Sequence, residues 1–188
     1  MTPEKWVVLI GAIALIAIVV LVISRTRSKK LKSRFGPEYD RLVRERGAAT
    51  AERELEHRAK RVEKFNIRPL SKEECNQFAR EWRTTQERFV DDPREAVAEA
   101  DRLVHTAMKT QGYPTGGDFD ARAADISVDH PHVVQHYRAG HELAMRDAQG
   151  QASTEDLRLA MQHYRELFED LLGRHVTEMS EVRPGARR

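Results

Sequence analysis

One uninterrupted apolar run, Trp6 to Ile23, opens the chain, and apolar positions recur after it at helical spacing among charged ones. Gly11 is the sole residue of that run without an apolar side chain, and its eighteen residues make roughly 27 Å of helix, close to a bilayer's hydrocarbon thickness. The run therefore predicts a single transmembrane pass, and nothing after it is apolar enough for a second. Gly36-Pro37 breaks the chain. A charged stretch then carries a thin stripe, Ala48, Ala51, Leu55, Val62 and Phe65, which predicts a largely solvated stalk helix with a weak point near Gly47. Ser71-Lys72-Glu73-Glu74 reads as a capping box before a helix with Cys75, Phe78, Ala79, Trp82, Phe89 and Val90 on one face. Asp92-Pro93 starts the next helix and Gly112 stops it. A loop from Tyr113 to Gly117 follows, then a short helix near Asp118 to Asp125, a helix starting at Pro131, and a last one capped by Ser153 and running to Gly173.

The pattern predicts an all-α protein with a transmembrane helix, a charged stalk helix and a bundle of about four helices. Its expected parts are an anchor over 1–24, a basic juxtamembrane segment over 25–36, the stalk over 37–66, the bundle over 67–175 and a disordered tail over 176–188. A cleaved signal peptide is the rival reading of the start. Its apolar core is normally shorter and ends at small residues, whereas Val and Ile fill those positions here.

Charge adds direction to the span. The net charge of +2 divides into +6 on residues 25–34 and −4 on residues 35–188. Arg25, Arg27, Lys29, Lys30, Lys32 and Arg34 follow the run with no acid between them, while Lys5 before it is offset by Glu4. The positive-inside rule then places the N-terminus outside and the helical domain in the cytoplasm. The same six residues are candidates for contact with anionic lipid headgroups, each gaining about 1 kcal/mol near such a surface. Basic character confined to this segment argues against nucleic acid as a partner. The single cysteine, Cys75, excludes an internal disulfide framework and suits a reducing compartment.

Four strings carry a resemblance: RFGPEYDRLV at 34–43, FVDDPREAVAEADRLV leading on to Gly112-Tyr113-Pro114, DFDARAADISVDHPHVVQHYRAGH at 118–141, and STEDLRLAMQHYRELFEDLLG at 153–173. Over most of its length the chain resembles an uncharacterised bacterial family of small, single-pass membrane-anchored helical proteins. The resemblance implies a bacterial envelope setting, here the inner membrane, and brings no activity, cofactor or catalytic residue with it.

Chemistry is sparse. Walker, G-x-S-x-G, H-E-x-x-H and dinucleotide signatures are all absent, so no catalytic residue and no cofactor is assigned. The candidate metal ligands are His132, His136 and His163. On a helical wheel the histidines of the fourth main helix do not converge on one interior point, so no metal site is expected. Asp118, Asp120, Asp125 and Asp129 lack the order of a calcium loop. Trp82, Phe89, Tyr113 and Tyr137 carry enough area to anchor a contact, and Trp82 and Tyr113 are the candidate partner-contact residues. Helical spacing equally assigns Trp82 to the core; Tyr113, in the loop, is least bound by that reading. The expectation is a non-enzymatic interaction or adaptor protein that tethers a protein partner, or itself, at the cytoplasmic membrane face. The alternative is a metal- or small-ligand-binding sensor with a pocket near Trp82, His141 and Tyr164.

Overall fold

The computed structural model describes residues 3–114 and 116–173, and for residues 3–10, 12–14, 17 and 20 the backbone alone. The described residues are all-helical: α1 (Pro3–Arg46), α2 (Ala48–Val62), α3 (Lys72–Arg88), α4 (Pro93–Gln111), α5 (Phe119–Ile126), α6 (Val134–Ala148) and α7 (Thr154–Leu171). The starts of α3, α4, α5 and α7 fall where a side chain offers an acceptor to an orphan backbone N–H. Ser71 Oγ accepts from Glu74 N at 3.2 Å while Glu74 Oε2 accepts from Ser71 N at 2.8 Å, completing the predicted capping box of α3. Ser153 and Asp156 repeat that exchange at α7, and Asp92 and Asp118 cap α4 and α5. Gly112 closes α4 at φ 102°, where an added Cβ would meet the Asn66 carbonyl oxygen at 2.4 Å. That position requires glycine both for its backbone and for the segment crossing it.

The chain forms two compact units, Met1–Leu55 and Glu56–Arg188, and the boundary falls inside α2. In the first unit α1 is broken at Gly36, φ 45° and ψ −121°, as Gly36-Pro37 predicts. Gly47, at φ 75°, turns the chain into α2. Ser28 Oγ and Tyr39 OH, on either side of the Gly36 break, donate to the same Glu52 oxygen at 2.6 and 3.1 Å. The break falls at the expected weak point, Gly47, between α1 and α2, and Tyr39, Leu42, Ala51 and Leu55 of the first unit, like Ala59 and Val62 of the second, are buried where a largely solvated helix was expected.

Among the described residues no helix is long and apolar enough to cross a membrane. The predicted span lies within α1, and residues 6–10, 12–14, 17 and 20 of it fall outside the described side chains. Those that are described, Leu15, Ile16, Ile18, Val19, Leu21, Val22 and Ile23, are 47–63% exposed. At about 100° per residue they occupy most of the helix circumference, so this stretch has no polar face to turn to water. The predicted tail, 176–188, also lies outside the described residues.

In the second unit α7 packs against α6 and α4, and α3 packs on α4. Tyr137, Tyr164, Phe168, Met108 and Leu167 are among its fully buried side chains. Arg61, near the end of α2, donates from Nε to Asp125 Oδ1 at 2.7 Å, and Arg58 donates to Ser127 Oγ at 3.4 Å. Two well-buried groups on α5 and its C-cap thereby gain charged partners. The fourth main helix starts at Val134 and not at Pro131. Backbone bonds from His130 N to Ile126 O and from Val134 N to His130 O carry the chain through consecutive turns, so Pro131 sits in a turn before α6.

Candidate functional site

α3 and α7 flank α4 and enclose between them a cleft of about 1130 Å³. Its apolar floor follows from the stripes that drive both helices inward: Phe78 meets Phe168 edge-on at 6.4 Å, and Trp82 stacks on Phe168 at 4.6 Å with 19° between the planes. Leu70, Ala79, Leu171 and Leu172 extend that surface.

The polar rim is asymmetric. Lys72, Arg80 and Arg83 of α3 line the cleft with exposed side chains, and among the described residues no carboxylate pairs with them. On the α7 side Arg165 is paired with Glu169 at 2.5 Å, and Asp170 Oδ2 lies 2.5 Å from His130 Nδ1. Two further polar atoms belong to the lining. Trp82 Nε1 and Gln111 Oε1 are buried without a hydrogen-bond partner among the described residues, while Gln111 Nε2 donates to the Leu171 carbonyl at 2.9 Å. An orphaned buried donor or acceptor costs about 1–3 kcal/mol.

Cys75 lines the same cleft, and its thiol faces the Leu172 carbonyl at 3.7 Å. Burial, with Glu74 adding to it, pushes this thiol above its ordinary range. No cation activates it, so it behaves as the packing residue that its stripe predicts. Among the described residues the cleft lining holds no activated nucleophile.

Neither candidate contact aromatic offers a free surface. Trp82 is 6% exposed and forms part of the cleft floor. Tyr113, the loop tyrosine, is 3% exposed. Its hydroxyl donates to Asp129 Oδ2 at 2.7 Å, and burial together with that carboxylate raises its pKa far above the usual phenol value. Of the pocket expected near Trp82, His141 and Tyr164, Trp82 alone lines the cleft; His141 is stacked on Phe119 at 3.7 Å and Tyr164 is in the core.

The candidate metal ligands are distributed unequally. His132 is exposed, whereas His136 and His163 meet across α6 and α7 with their Nδ1 atoms 3.0 Å apart. Burial, and then the neighbouring His136, lower the pKa of His163. Among the described residues no group of three or more metal-ligating side chains converges. The six basic residues from Arg25 to Arg34 are all exposed along α1, with Lys32 3.1 Å from Asp40 and the Arg34 guanidinium 5.6 Å from the Phe35 ring centre.

The chain matches no protein-family model, no curated protein and no solved structure.

Lys72, Arg80, Arg83 and Gln111 escape sequence reasoning. On a helical wheel they flank the apolar stripes as any solvated residue does, and only the separation of α3 from α7 gives them a common cleft.

Proposed function

We propose that the chain is a single-pass, membrane-tethered helical interaction module of the bacterial inner membrane, without catalytic activity, that holds a partner protein at the cytoplasmic face. The observation that carries this reading is the pairing on one helix of an exposed apolar stretch, Leu15 to Ile23, with six exposed cations directly after it. A helix apolar on all sides is stable when buried in protein or in lipid, and the described side chains of this stretch are 47–63% exposed. The basic run sets the orientation and adds attraction to anionic headgroups. Tethering raises the effective concentration of the domain at the membrane, which strengthens weak docking without new contacts. The α3–α7 cleft is the docking surface in this reading.

Reporter fusions after Arg188 test the arrangement. A cytoplasmic reporter is expected to be active and alkaline phosphatase silent; the reverse pattern would place the helical domain outside and defeat the proposal.

The His136–His163 contact favours a second reading, a metal-binding sensor. Two imidazole nitrogens 3.0 Å apart are spaced as adjacent ligands of one ion at about 2.0–2.1 Å each. In that case Zn²⁺ raises the melting temperature saturably at one ion per chain, and the rise disappears in His136→Gln and His163→Gln and at pH low enough to protonate both rings. A rise unaffected by either substitution, or no rise, removes this reading and leaves the pair as a hydrogen bond between helices.

A further inference from the structure

Resting on the adaptor reading above, we infer that the α3–α7 cleft is a docking groove for a short acidic amphipathic helix of a partner protein. Dimensions argue for a helix over a small molecule. The α3 lining runs from Lys72 to Gln86, roughly 20 Å of helix at 1.5 Å per residue, which accommodates about four turns. At about 1130 Å³ the cleft exceeds the usual few hundred to about 1,000 Å³ of small-ligand sites.

Surface chemistry selects the face and the charge. Trp82, Phe168, Leu171 and Leu172 give the apolar floor on which a helix lays residues at i, i+3, i+4 and i+7. The two lining carboxylates, Glu169 and Asp170, already face Arg165 and His130, so Lys72, Arg80 and Arg83 remain to meet an anionic flank. Such complementarity favours acidic over basic partners by attraction on one side and repulsion on the other. The chain's own C-terminal segment does not complement this rim: residues 174–188 hold Arg174, Arg183, Arg187 and Arg188 against Glu178 and Glu181.

The test uses the full chain in nanodiscs of zwitterionic lipid, with empty nanodiscs as the blank. Two fluorescent peptides of roughly 14 residues share one leucine stripe and carry glutamate or lysine on the polar face. Anisotropy is expected to show saturable one-to-one binding of the glutamate peptide, at least about tenfold tighter than the lysine peptide, and weakening with salt. The double variant Arg80→Glu/Arg83→Glu inverts the preference. Ala79→Trp fills the cleft and abolishes binding, with a helical melt as the check on folding. Equal binding of both peptides that is still lost in Ala79→Trp overturns the acidic partner alone. Binding of neither peptide, or binding unaffected by Ala79→Trp, overturns the groove, and the reporter fusions then judge the tether separately. Dimerisation of the chain that Ala79→Trp abolishes would assign the groove to a second copy and overturn the partner proposed.

Discussion

Truncating Trp82 to alanine is expected to cost about 3–5 kcal/mol of folding stability, the range for large aromatic side chains in packed interiors. The indole is 6% exposed and stacked on Phe168 at 4.6 Å, so the loss combines buried area with a specific ring pair worth about 0.5–1.5 kcal/mol. One term opposes it. The unpartnered Nε1 carries a desolvation cost of about 1–3 kcal/mol that the truncation relieves, which places the result toward the lower end of the range. A domain of this size has about 5–15 kcal/mol in total, so the melting temperature should fall on the order of 10 °C. Trp82→Phe keeps a stacked ring and removes the orphan donor, and should stay within about 1 kcal/mol of the parent. An unchanged melt for Trp82→Ala would mean that the indole is not packed as described and that the cleft floor is not rigid.

Much of this fold is legible in the sequence because helix ends are local events. Ser71 with Glu74, Ser153 with Asp156, Asp92 before Pro93, and Gly112 each act on backbone groups within a few residues, and each acts as read. The start of α6 is misread for the opposite reason. Pro131 suits a first helical turn, but the turns that carry the chain out of α5 enclose it, and that path depends on where α5 lies. Burial of Ala51, Leu55 and Val62 is hidden likewise, since a stripe this thin looks solvated when read along one helix.

The site was less legible still. Helical spacing places Trp82 inward, and it is inward. It cannot tell which edge of α6 faces α7, so the meeting of His136 with His163 depends on a packing angle and not on a residue pattern. Arg80 and Arg83 are indistinguishable in sequence from the other charged residues of α3. Their common cleft arises because α3 and α7 both pack on α4 and leave a gap between themselves.

The central proposal, that Trp6–Ile23 holds the helical domain at a bilayer, is also the one with the largest expected effect. Thirteen of those residues are Val, Leu or Ile, each contributing about 0.3–0.6 kcal/mol to insertion, or about 4–8 kcal/mol together. The six cations could add attraction of similar size at an anionic surface, but salt screens that attraction and leaves apolar insertion intact. Two lysines at the centre of the span would cost about 5–7 kcal/mol, enough to cancel most of the gain. The direct measurement is extraction of bacterial membranes with alkaline carbonate and high salt, comparing the full chain with Ile16→Lys/Val19→Lys. The full chain is predicted to stay in the membrane pellet while the double variant moves to the soluble fraction with its helical melt intact. Release of the full chain under these conditions, or retention of the double variant, would contradict the tether.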